Sequence, residues 1–186
     1  MTTIVALLVP ILLSAAIVFI VSSIFHTVLP WHHNDFASVP NEEAVRKALG
    51  PLAIPPGDYM VPRPTVPGDW KSAEFHKKLA EGPNLQMTVL PTGPFSMTGQ
   101  LVSWYIYCAV VSLFGAYVAS RTLPVGAGYL EVFRVTGAVT FAGYALALWQ
   151  ARIWFRKNLG TTMRGTIDGL VYACLTGGTF GWLWPK

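Results

Sequence analysis

The chain has 186 residues, of which 53% are hydrophobic, 13% aromatic and only 12% charged, with a formal net charge of +4. Soluble domains carry about 25% charged residues, so this composition excludes a disordered chain, a coiled coil and a collagen-like repeat, and it argues against a simple water-soluble enzyme. The small positive charge forms no nucleic-acid patch.

The first apolar segment runs from Ile4 to Phe25 without a charged residue. It matches the roughly 20 residues that a helix needs to cross a bilayer, with Pro10 expected to kink it. Its first turns lack Lys and Arg, and its apolar run is longer than that of a signal peptide, so it reads as a retained anchor. Residues 26–100 then hold most of the charge, six Lys or Arg (46, 47, 63, 71, 77, 78) against seven Asp or Glu (35, 42, 43, 58, 69, 74, 81). Asn41–Leu49 reads as a helix, with Glu42 and Glu43 in its first turn, Arg46 and Lys47 in its last, and Gly50 as its stop. Asp69–Glu81 reads as a second helix, ended by Gly82. Tyr59–Val61 and Leu85–Leu90 read as short strands able to pair. About 70 residues with few large apolar side chains make a weak core, which favours a docking surface over a catalytic domain.

Three more apolar spans follow, Leu101–Ala119, Val132–Gln150 and Ile167–Trp184. The fold class is therefore integral membrane α-helical: four transmembrane helices with a small α+β extramembrane lobe between the first and second. The expected organisation is residues 1–25 as the first span, 26–100 as the lobe and 101–186 as the remaining spans. Arg152, Arg156, Lys157 and Arg164 in an expected loop 151–166 outnumber Arg121, Arg134 and Lys186 on the other side, which favours a cytoplasmic lobe in a bacterial inner membrane. Trp149, Trp154, Trp182, Trp184 and Tyr129 sit near span ends, where amphipathic rings prefer the interface.

Several residues are candidates for chemistry. His32, His33 and Asp35 could ligate a divalent metal, although adjacent histidines point apart and Pro30 breaks the frame from His26. The alternative is a polar membrane-exit segment. His26, near a span end, resembles an axial ligand for a tetrapyrrole, but the other spans contain no second histidine. Glu131 with Arg134, and Arg164 with Asp168, are expected interfacial ion pairs. No nucleophile elbow, phosphate loop or metalloprotease motif occurs, so no enzyme activity is expected. Small residues recur every four positions: Gly165, Gly169, Ala173, Gly177 and Gly181 in the fourth span, Ser112 and Ala116 in the second, Gly143 and Ala147 in the third. Such ridges let helices approach closely.

The segments Leu29–Phe36, Pro40–Val45, Pro55–Tyr59, Phe133–Gly137 and Phe180–Pro185 resemble a family of small, uncharacterised four-helix bacterial membrane proteins, and more faintly the accessory subunits of bacterial photosynthetic reaction-centre supercomplexes. That resemblance carries no activity and no functional residue. The expected role is a non-catalytic accessory subunit bridging components of a larger membrane complex, respiratory or photosynthetic. Other integral membrane subunits and lipid would be its partners, and nucleic acid would not. Trp31, Trp70 and Trp154 are the candidate partner anchors. The alternatives are a pigment- or metal-binding membrane protein, and a small transporter or lipid-active enzyme.

Overall fold

The computed structural model describes residues 2–94 and 96–186. A 3-10 turn, Val5–Leu7, leads into α1 (Leu8–Thr27). There follow α2 (Glu42–Leu49), β1 (Gly57–Val61), α3 (Ala73–Glu81), β2 (Leu85–Val89) and α4 (Thr98–Thr122). The chain continues through α5 (Tyr129–Phe141), a π-helical turn (Ala142–Leu146), α6 (Ala147–Phe155) and α7 (Leu159–Trp182). It forms two compact units, Met1–Ala37 with Ser96–Lys186, and Ser38–Phe95. The lobe is thus shorter than the expected 26–100. Residues 26–37 belong with the bundle because Trp31, His32 and Asp35 bond to side chains of α7.

In the bundle unit, Val5–Thr27, Thr98–Thr122 and Tyr129–Phe155 are long and apolar enough to cross a membrane. α7 matches them in length, with 24 residues, but not in apolarity, because Thr161, Thr162, Arg164, Thr166 and Asp168 occupy its first half. Pro10 lies in the first turn of α1, where a helix has no partner for its N–H groups in any case, and the run Val5–Thr27 changes from a 3-10 turn to α-helix just before it, at Leu7. The expected loop 151–166 is also corrected. Arg156, in the left-handed region at φ 51°, ends α6, and the Asn158 side chain accepts the Thr161 N–H to start α7. Only residues 156–158 separate the two helices, and Arg164 lies inside α7.

The small-residue ridge of α7 packs within the chain. A Cβ on Gly177 would sit 2.9 Å from the Phe133 carbonyl, one on Gly169 2.9 Å from the Ala145 Cβ, and one on Gly181 2.7 Å from the Tyr129 ring. Gly165 faces Leu148, and Ala173 is buried with its carbonyl near Gly137. Across the bundle, Ala116 is buried and the Ser14 hydroxyl donates to Ser112 at 3.0 Å. Small side chains let α7 approach α5 closely, and short hydroxyls let α1 approach α4. Trp184 is buried rather than at an interface, and its indole N–H donates to the Pro124 carbonyl at 2.9 Å.

In the lobe, Asn41 caps α2 through the Ala44 N–H, and Ser72 caps α3 through the Phe75 N–H. That second cap divides the expected helix 69–81 into a 3-10 turn, Asp69–Lys71, and α3. β1 and β2 pair antiparallel, with Gly57 opposite Val89 and Val61 opposite Leu85.

A candidate metal centre at one end of the bundle

α1 carries His26 in its last turn. Pro30 then opens a 3-10 turn, Pro30–His32, because its fixed φ suits a helical start. The chain folds back and lays the His32 ring on the His26 ring, with centroids 4.1 Å apart and planes 7° apart. The break at Pro30, which in sequence separates the histidines, is what brings them together. Asp168 supplies the third group. It is the tenth residue of α7, not at a helix N-terminus as expected, and it is almost fully buried.

A donor atom from each of His26, His32 and Asp168 lies within 4.8 Å of the other two. Each of the three is held from behind. The Ser22 carbonyl, 2.9 Å from His26 Nδ1, can only accept, so Nδ1 donates and Nε2 keeps its lone pair. Asp35 Oδ2 lies 2.6 Å from His32 Nδ1, which turns Nε2 toward Asp168 Oδ2 at 2.8 Å. The Trp31 indole N–H donates to Asp168 Oδ1 at 3.0 Å, leaving Oδ2 to face the histidines. Arg164 anchors the far side, its Nε donating to Asp35 Oδ1 at 2.8 Å. Burial pushes the Asp35 carboxyl up, but hydrogen bonds and charge from His32 and Arg164 outweigh it and hold the group below its ordinary value. His32 thus stands between two carboxylates, Asp35 and Asp168, with the Arg164 guanidinium on the far side of Asp35.

The structure redistributes the expected site residues. His32 and Asp35 come together as neighbours, but Asp35 buttresses His32 rather than joining the convergent trio. His33 is exposed and outside it. All three tryptophans are exposed, but Trp31 also donates its indole N–H to Asp168. Two expected pairs are corrected. Arg164 binds Asp35, not Asp168, and Glu131 accepts the Gly128 N–H at 3.1 Å instead of pairing with Arg134. Sequence reasoning missed Asp168 as a partner of the histidines because 136 residues separate it from His32. The available signal was its position: Glu131 and Asp168 are the only acids after residue 100, and an acid in or near a span is a functional candidate by default.

Beside the trio, a cleft of about 610 Å³ opens between α1, α4, the π-helical turn and α7. His26 and Asp168 lie on its wall, with Trp104, Tyr107, Tyr144 and Tyr172. No protein-family model, curated protein or solved structure matches the chain.

Proposed function

We propose that the protein is a metal-binding membrane protein, holding one divalent transition-metal ion through His26, His32 and Asp168. One observation carries this: three donors from α1, the 3-10 turn and α7 converge within 4.8 Å. Carboxylate or carbonyl partners behind the imidazoles fix the tautomer and raise ligand basicity. Two nitrogens and one oxygen suit Zn²⁺ or a neighbouring first-row ion, and three protein ligands leave a coordination position open. Three donor atoms within 4.8 Å of one another favour an ion over the flat macrocycle expected for His26 alone. α7 would be the fourth span, kept polar at this end by the site it carries.

The test is metal content after loading the detergent-purified protein with Zn²⁺. One ion per chain is expected, retained in His33→Ala and lost in His32→Ala and Asp168→Asn. An unloaded wild type that is correctly folded, or full loading of Asp168→Asn, would overturn the assignment.

A separate observation favours the accessory-subunit role alongside metal binding. Among the described residues of the lobe, Phe75 is the one buried large hydrophobic, while Leu52, Val66, Trp70 and Leu90 are all more than half exposed. Such a surface suits docking on another subunit of a membrane complex. Native mass spectrometry from gently solubilised membranes should find the chain in a larger assembly that Trp70→Ala weakens. Migration as a lone monomer sinks this role.

A further inference from the structure

We infer that the cleft beside the trio binds a membrane-soluble aromatic ring bearing an oxygen donor, of the quinol class, with that oxygen at the open position of the metal. This rests on the metal assignment and names what the same site would take. Three observations lead to it.

The first is placement. His26 and Asp168 both line the cleft, whereas His32 does not. The cleft therefore adjoins two of the three ligands, and an occupant has its end against the ion. At about 610 Å³ it lies within the roughly 300–1,000 Å³ typical of small-molecule sites.

The second is the character of the walls. Trp104 and Tyr107 stack at 5.5 Å and 22° with Tyr107 exposed, and the buried Tyr144 and Tyr172, which reach the cleft only at their edges, meet edge to face at 5.6 Å and 78°. Flat faces in a largely apolar cleft select a flat, lipid-soluble body. The π-helical turn builds this wall. Its Gly143 carbonyl accepts the Tyr107 hydroxyl at 2.6 Å, fixing that ring, and Tyr144 projects from the same turn. Single π turns inside α-helices recur at functional sites.

The third is charge. With a divalent ion bound, Asp35, Asp168 and Arg164 leave one net positive charge, which complements an oxygen that can give up its proton. A cationic headgroup would be repelled.

The experiment uses the full chain in nanodiscs and equilibrium binding of a short-chain benzoquinol, with zinc counted in the same samples. Zinc-loaded protein should bind the quinol at least about ten-fold tighter than metal-free protein. Leu148→Trp fills the cleft from its rim without touching a metal ligand, so it should abolish quinol binding while keeping one zinc. Zinc loading without quinol binding, equal affinity in Leu148→Trp, or tighter binding of oleate than of the quinol would each overturn the inference and leave the metal assignment standing. Failure to load zinc would overturn both.

Discussion

The bundle and the lobe use opposite means of holding a fold. In the bundle, buried residues come from every long helix, and many buried hydroxyls are paired: Ser14 with Ser112, and the Thr136, Thr140 and Thr176 hydroxyls with carbonyls one turn back, whereas the buried Tyr144 and Tyr172 hydroxyls have no partner. The lobe relies on caps, a two-stranded ladder and exposed i,i+4 ion pairs such as Lys47 with Glu43 and Lys78 with Glu74. Exposed pairs of this kind contribute little. The histidine–carboxylate site therefore lies in the unit able to hold side chains in fixed geometry, and the lobe is left with surface.

That contrast can be broken at its weakest point first. Phe75→Ala removes the one buried aromatic among the described residues of the lobe and should cost about 3 kcal/mol or more. Limited proteolysis should then cut within residues 38–94, while zinc loading at His32 stays intact. Loss of zinc together with the lobe would show that the two units are not separable. The converse change is Gly177→Val. Its Cβ would press on the Phe133 carbonyl, a backbone atom that cannot swing away. Overpacking of this kind costs about 1–3 kcal/mol, so thermal unfolding of the bundle should shift down, with the lobe's protease resistance unchanged.

The smallest effect is at Asp69. N–H groups of Val66 and Thr65 and the Thr65 hydroxyl hold its carboxyl below the ordinary 3.8. A depressed carboxylate stabilises fully above the unfolded value and loses that contribution as the pH falls through the folded one. Asp69→Asn should thus loosen the 65–72 turn slightly near neutral pH, and the difference from wild type should vanish in strong acid. Hydrogen exchange of the Thr65 and Val66 amides reads it directly.

Local chemistry made much of this architecture legible in the sequence. Apolar runs mark the three helices long and apolar enough to cross a membrane, and charges at each end of Asn41–Leu49 mark α2. Pro and Gly bound the two strands, which pair in the expected region. The four-residue ridge of α7 announces close packing. The site was only half legible. His26, His32 and Asp35 cluster in sequence, but which of them converge depends on a 3-10 turn at Pro30 and on an aspartate contributed by α7. No local pattern encodes a contact spanning 136 residues. The extent of α7 was hidden as well, because its polar first half resembles a loop until Asn158 is recognised as a cap.

The central claim is that His26, His32 and Asp168 bind one metal ion together. X-ray absorption at the zinc edge of the loaded protein tests it most directly. The account predicts a first shell of nitrogen and oxygen only, with two imidazole signatures and one of them lost in His26→Ala. A sulfur scatterer, which would move the ion to Cys108 or Cys174, or an imidazole count unchanged in His26→Ala, would contradict it.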